Sequence, residues 1–545
     1  MMNNRTSRFV PLIVAVSLVA GIVIGVFYAN HSSGNRLSII NSSSNKINDL
    51  LHIIDDEYVD TVNMSDLVEK ALPKILSELD PHSRYIPAKE AQQENDELKG
   101  SFGGIGVSYT VRNDTIHIQN VIKGGPSDKI GIMPGDKIVT VDGKPFVGKE
   151  CTVETAPQKL KGPKGSQVEV GVVRRGVNKV LKFTITRGDI AVKSIDAAYM
   201  VAPGVGYIKL NSFSETTYQE MLVALAKLNV QNCRNLVIDL RGNGGGVMDA
   251  AVRLANEFLP ANRLIVYMQG RKCPRKEFRS DGRGAYQHIP LVVLTDELSA
   301  SSSEIFAGAM QDNDRATIVG RRSFGKGLVQ LPIQFRDGSE VYLTIARYYS
   351  PSGRCIQKPY AKGDEDDYEM DLMNRYSHGE FYSRDSIKLN GPKYKTTLGR
   401  TVYGGGGIMP DVFVPKDTTG ITPYFQAAYN MGLIIRFTYN YTDDNRPALS
   451  KIEKPMLMVD YLKEQNVINQ FATYASTQGL KRRNRMIIKS KKLFEQELYG
   501  RILYNMYDMA AWVEYLNQTD PTILKALEIL KAGKAFPQAP EKERK

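Results

Sequence analysis

The spacing of apolar positions changes three times along this chain, and each change marks a different kind of structure. Leu50, Ile53 and Ile54, then Leu72, Ile75, Leu76 and Leu79, recur at helical spacing and predict a small helical region. From Gly100 to Arg187 the pattern shortens to β-like runs at 116–118, 137–141 and 168–170, broken by Gly-Pro and Asp-Gly turns, so a compact, mostly β module is expected. From Gly204 onward, buried-type strands at 205–210, 236–240 and 291–294 alternate with helical stretches near 218–228 and 249–258. Alternation of that kind predicts an α/β sheet with helices on its faces.

The sheet pattern resumes at 316–319 and 341–345. An acidic, aromatic and polar stretch at 358–400, containing Asp364-Glu365-Asp366-Asp367, interrupts it and is expected to be a surface insertion. Beyond Pro415 the chain turns helical, with Phe494, Leu498 and Ile502, and later Ile523, Leu527 and Leu530, on single faces. No internal repeat is visible.

At the other end, residues 9–30 carry no charged side chain and follow Arg5 and Arg8. Such a run is long enough to span a bilayer with the arginines inside, and the absence of an A-x-A-like site favours an uncleaved anchor over a cleaved signal peptide. Everything after Asn30 is then exported.

At 545 residues the chain exceeds one compact core, and 42% apolar and 24% charged residues describe a folded body. Lys and Arg outnumber Asp and Glu by 71 to 59, a net charge of +12. For an exported protein, attraction to an anionic membrane surface explains that excess better than nucleic acid does, so no nucleic acid is expected. Cys151, Cys233, Cys273 and Cys355 lie far apart with no C-x-x-C, so neither a zinc cluster nor a redox motif is supported and no metal is expected.

The most informative stretch is Leu298-Ser299-Ala300-Ser301-Ser302-Ser303-Glu304, which joins a buried strand to a helix. A hydroxyl at such a junction lies near unsatisfied N–H groups and the positive helix end, where developing negative charge is favoured. Ser301, Ser302 or Ser303 could equally serve only as the helix cap. A serine nucleophile needs a base. None of the six histidines (His31, His52, His82, His117, His288, His378) sits in a stretch patterned like a catalytic loop. A lysine serves if burial leaves its amine neutral, and Phe324-Gly325-Lys326-Gly327-Leu328 supplies one between glycines. Residues 320–326 also fit G-x-x-x-x-G-K, but Gly327 stands where a P-loop needs Ser or Thr, and a strand-like run follows where it needs a helix. A third glycine-rich site, Asp239-Leu240-Arg241-Gly242-Asn243-Gly244-Gly245-Gly246, lets backbone N–H groups approach an oxyanion, or forms a tight strand-to-helix turn.

Together these segments resemble the C-terminal processing peptidases, or tail-specific proteases, a Ser/Lys family of exported enzymes. The resemblance runs from Leu79-Asp80-Pro81-His82-Ser83-Arg84-Tyr85 through Phe102-Gly103-Gly104-Ile105-Gly106-Val107, which looks like the start of a PDZ domain. It continues through 125–143, the PDZ core pattern, and then Asp239 to Gly246, Ser299 to Glu304, Phe324 to Gly327 with Gln330, and Gly407-Ile408-Met409-Pro410-Asp411.

The resemblance implies Ser301 as nucleophile, Lys326 as base and Gln330 as the residue orienting the lysine. It implies an oxyanion hole from the backbone of Gly245 or Gly246 with Ser302, and a loop of Phe102, Gly103, Gly104, Ile105, Gly106 and Val107 that receives substrate C-termini. Ser302 departs from the alanine common in relatives, although only its amide is required. No cofactor is implied.

The expected architecture is multidomain α+β and α/β: a signal anchor at 1–30, a helical region at 31–95, a mostly β PDZ-like domain at 96–188, a Ser/Lys protease core at 189–415 with an insertion near 358–400, and a C-terminal helical region at 416–545. The expected function is an exported serine endopeptidase that selects protein substrates by their C-terminal tails, anchored in an inner membrane with its body in the periplasm. A homo-oligomer or an adaptor partner stays open. The rival readings are a membrane-tethered PDZ scaffold with an inactive or partner-activated core, and a Ser/Lys acyltransferase or β-lactamase-type enzyme. The second would carry S-x-x-K, but Glu304 occupies that offset from Ser301.

Overall fold

A computed structural model describes residues 42–361, 365–388 and 391–540. The expected anchor at 9–30 lies outside them, and no helix among the described residues is long and apolar enough to cross a membrane. The chain divides into two compact units, with the boundary after Leu76. The first contains the predicted helices, Ser42–Glu57 and, but for its last residue, Met64–Ser77.

The second unit opens with the strand Arg84–Ile86 and the helix Ala88–Lys99, then a two-stranded neck in which Ser101–Gly104 pairs antiparallel with Gly188–Ala191. The neck brackets the β module. Its sheet runs in the order Val107–Arg112, Thr115–Val121, Lys137–Val141, Gln167–Val173, Leu181–Thr186, antiparallel throughout. Alternation does the sorting: Ile116, Ile118, Val168, Val170 and Val172 point into one core while Thr115, His117, Gln167 and Glu169 beside them stay at least partly exposed.

The α/β core is a six-stranded sheet ordered Ile195–Ala202, Val205–Leu210, Asn235–Asp239, Leu291–Thr295, Thr317–Gly320, Val412–Phe413, antiparallel at the first pair and parallel thereafter. Its inner strands are apolar on both sides because both faces are covered. Leu236, Ile238, Leu291 and Val293 pack on the helices Thr217–Val230, Met248–Asn256 and Ser302–Asp312. Val237, Val292 and Leu294 face the other way, onto Ile523, Ala526 and Leu530 of the helix Pro521–Lys531. The last helix of the region predicted as a separate C-terminal part thus completes the core, whereas the helices between Pro423 and Asn517 build mainly a cluster of their own.

A second sheet carries Leu264–Gln269, Lys276–Arg279, Leu328–Gln334 and Glu340–Tyr349, with Arg84–Ile86 added along the last. The stretch expected as a surface insertion is in part built in: Lys358, Tyr368, Arg375, Glu380 and Phe381 are buried. The physical reason is pairing. Arg375 and Arg322 share the Glu380 carboxylate, and Lys358 donates to Asp371 and lies over the Tyr368 and Phe324 rings. The charges of Lys358, Arg375 and Glu380 are thus satisfied against the core, a pattern that composition alone reads as solvated.

Candidate active site

Ser301 ends the turn after strand Leu291–Thr295 and begins the helix Ser302–Asp312, with φ 56° and ψ −116°. A non-glycine residue at positive φ is strained by about 1–3 kcal/mol, and at a strand-to-helix turn such strain holds a nucleophile's side chain clear of the backbone. The neighbours supply the restraint. Ser299 Oγ donates to the Leu240 carbonyl at 2.8 Å, Ser302 Oγ to Gly246 at 2.8 Å and Ser303 Oγ to Asn243 at 2.9 Å, while the Ala300 N–H donates to Asn243 at 3.0 Å. Three of the four serine hydroxyls are thus tied to the glycine loop, whereas the Ser301 hydroxyl donates to nothing among the described residues. That asymmetry separates Ser301, which is also the N-cap in a capping box with Glu304, from its two neighbours.

Glu304 sits one turn on, buried, and is the main residue that sequence reasoning left without a role. Its Oε1 accepts from the Ser323 hydroxyl and N–H of Gly325 at 2.5 and 2.7 Å, and its Oε2 from the N–H groups of Ser301 and Lys326 at 2.9 and 2.8 Å. Burial pushes its pKa up to about 7, against the pull of those four donors. Its position three residues after Ser301, the capping-box offset, is the sequence signal for it.

Lys326 lies between Gly325, at φ 91°, and Gly327. Among the described residues its amine has neither a hydrogen bond nor an ion pair. Burial lowers its pKa and the Arg84 charge lowers it further; Glu304, Asp80 and Glu94 pull the other way. Gln330 donates from Nε2 to Thr344 Oγ1 at 3.3 Å and has no hydrogen bond to the Lys326 amine.

Of the oxyanion candidates, the Gly245 N–H is spent on Asn243 Oδ1 at 2.9 Å. The N–H groups of Gly246 and Ser302 have no acceptor among the described residues. Gly245 matters instead by what it lacks: a Cβ there would lie 2.7 Å from Ser301 Cβ and 2.9 Å from Ser302 N, at φ 100°. The loop is anchored from below by Asp239, which burial pushes up but Arg241 and Lys209 hold well below the usual carboxylate range. Arg241 also reaches Asp520, the cap of the last helix, at 2.7 Å.

His82, placed by sequence in a helical region, lies instead in the loop before strand Arg84–Ile86. Its Nε2 is 2.7 Å from the Tyr368 hydroxyl, and burial, then the Lys326 charge, lower its pKa to about 3. The neutral ring is part of the lysine's surroundings; the Leu79 to Tyr85 motif was its signal.

The predicted C-terminus loop divides in two. Phe102, Gly103 and Gly104 belong to the neck strand, paired with Ile190, Asp189 and Gly188, while Val107 pairs with Val121. Between them, the N–H groups of Ile105 and Gly106 have no acceptor among the described residues, and Gly106 is at φ 76°. This two-residue gap beside the edge strand Val107–Arg112 is where a terminal carboxylate would find donors. No cluster of His, Cys, Asp and Glu among the described residues has the makings of a metal site.

Comparison with known proteins adds the following. The model of peptidase family S41 matches residues 204–370, that of the PDZ domain residues 103–185, and that of a family of unknown function residues 424–508. The chain is 36% identical over 318 residues to the carboxy-terminal-processing protease of Bartonella bacilliformis, covering 57% of this chain and 72% of that protein. It is 34% identical over 350 residues to the carboxy-terminal processing protease CtpB of Bacillus subtilis, covering 63% and 71%. Among solved structures, the photosystem II D1 C-terminal processing protease matches at 29% identity, with 59% of this chain and 92% of that one covered and a TM-score of 0.32.

Proposed function

The chain belongs to the C-terminal processing peptidases, a PDZ domain joined to an S41 peptidase core, and on that footing we propose that it is a serine endopeptidase in which Ser301 is the nucleophile and Lys326 its base. Neutral Lys326 takes the Ser301 proton as Oγ attacks the scissile carbonyl. The N–H groups of Gly246 and Ser302 hold the oxyanion, an acyl-enzyme forms as the amine leaves, and water releases the acid. The observation that carries this reading is a pair of uncommitted groups among the described residues: the one hydroxyl of the Ser299–Ser303 run whose proton has no acceptor, on a strained turn, and a partly buried lysine with no hydrogen bond or ion pair.

The PDZ domain captures the substrate's C-terminal tail at Ile105 and Gly106, raising its local concentration at Ser301. In this proposal the apolar run at 9–30 tethers the body on the periplasmic side of an inner membrane.

A phosphonylating serine reagent tests the nucleophile. Intact-mass analysis should show one adduct on the wild type, peptide mapping should place it on Ser301, and Ser301→Ala should take up none. An adduct on Ser302 or Ser303 would contradict the assignment.

A further inference from the structure

Behind Gln330 lies a series of hydrogen bonds in which every proton has one place to go. Gln330 stands directly across the strand pair from Thr344. Its Nε2 donates to Thr344 Oγ1 at 3.3 Å, and the Thr344 hydroxyl donates in turn to Asp80 Oδ1 at 3.0 Å. Asp80 is buried and collects donors only: the N–H groups of His82 and Ser83, each at 2.9 Å, and the Ser83 hydroxyl at 2.6 Å. Ser83 Oγ also accepts the Thr344 N–H at 3.0 Å, so the loop grips this strand by backbone and side chain together.

Asp80 Oδ1 already accepts two backbone N–H groups, so it meets Thr344 as an acceptor too. The single Thr344 hydroxyl proton is therefore committed to Asp80, and Thr344 can only accept from Gln330. That fixes the amide, independently of how its oxygen and nitrogen are assigned: the NH2 is turned to Thr344. Gln330 Oε1 is left with no donor among the described residues, four positions along the chain from Lys326, whose amine is also unpartnered.

We infer that Asp80 and Thr344 are positioning residues that lock the Gln330 carboxamide with its oxygen available to the Lys326 amine. The inference rests on the Ser301/Lys326 reading above. An oxygen at that place takes one N–H of the amine and leaves its lone pair for the Ser301 proton. A reversed amide presents an NH2 instead, which competes for the lone pair and disfavours the ammonium form.

The test is the pH dependence of kcat/KM for the full chain carrying Thr344→Val, Thr344→Ala, Thr344→Ser or Asp80→Asn. Thr344→Val is expected to lower the plateau by up to about 100-fold, the order that a misplaced catalytic group costs. It is also expected to move the acid limb to lower pH, because the lysine loses the acceptor that favours its charged form. Thr344→Ser keeps the hydroxyl and should restore both plateau and limb. Asp80→Asn should move the limb in the same direction as Thr344→Val, but it also removes a charge that raises the lysine pKa, so the charge-neutral Thr344→Ala carries the test if Thr344→Val does not fold. A plateau loss with the limb unmoved, or a Thr344→Ser variant as impaired as Thr344→Val, overturns the inference. Ser301→Ala and Lys326→Ala run alongside: activity retained in either would overturn the underlying reading, and this inference with it.

Discussion

Ser301 and Lys326 are fastened to a single atom: Glu304 Oε2 accepts the Ser301 N–H at 2.9 Å and the Lys326 N–H at 2.8 Å. The two loops meet on one buried carboxylate, so backbone bonds hold them together. Replacing Glu304 with Ala leaves those two N–H groups, the Gly325 N–H and the Ser323 hydroxyl without their acceptor. Each orphaned buried donor costs about 1–3 kcal/mol, so Glu304→Ala is expected to lose at least about 3 kcal/mol in urea unfolding and to lack cleavage even where folded.

The same carboxylate predicts a pH dependence of stability. Its folded pKa, about 7, lies above the usual 4.5, so between those values the folded state binds more protons than the unfolded one. Stability from this group is full below the usual value and is lost as pH rises towards about 7. The difference in melting temperature between wild type and Glu304→Gln should therefore change between pH 4.5 and pH 8 in the direction that penalises the wild type at the higher pH. A difference constant across that range would contradict it.

Arg84 is the largest charge effect on Lys326 and lowers its pKa, while Glu94, its ion-pair partner at 2.6 Å, raises it. Arg84→Gln removes the first and releases the second. The acid limb of the activity profile should move to higher pH, by less at high salt, because Arg84 is exposed and its charge is screened. A shift to lower pH would show that the limb does not report this lysine.

Two adjacent glycines give a paired test. Gly245→Ala would place a Cβ 2.7 Å from Ser301 Cβ at a φ of 100°, whereas a Cβ on Gly244 meets nothing within 4 Å. Gly245→Ala should abolish cleavage and cost about 1–3 kcal/mol of stability, while Gly244→Ala should change neither much. Equal effects of the two would mean that the loop does not approach the serine as described.

These residues also show what the sequence can carry. The strands Leu291–Thr295 and Asn235–Asp239 were legible because, buried on both faces, they read as unbroken apolar runs, and motif order singled out the two loops that meet on Glu304. The backbone angle that exposes Ser301 and the bonds that occupy its neighbours depend on the glycine loop folded against it from some 60 residues away. Local pattern holds no trace of them. Glu304 was hidden for a related reason: a carboxylate at a helix start reads as a surface cap, and only the arrival of the Lys326 loop buries it. The Pro521–Lys531 helix looked like an appendage because its partner strands lie some 200 to 300 residues earlier.

The most direct measurement is cleavage of an unstructured protein bearing an apolar C-terminal tail by the body from Ser32 onward, followed across pH for wild type, Ser301→Ala and Lys326→Ala. The account predicts that wild-type activity rises with pH through a limb below the usual lysine value of 10.5, and that both variants lose cleavage at every pH. Cleavage that survives in Ser301→Ala, or a Lys326→Ala variant with the wild-type profile, would contradict it.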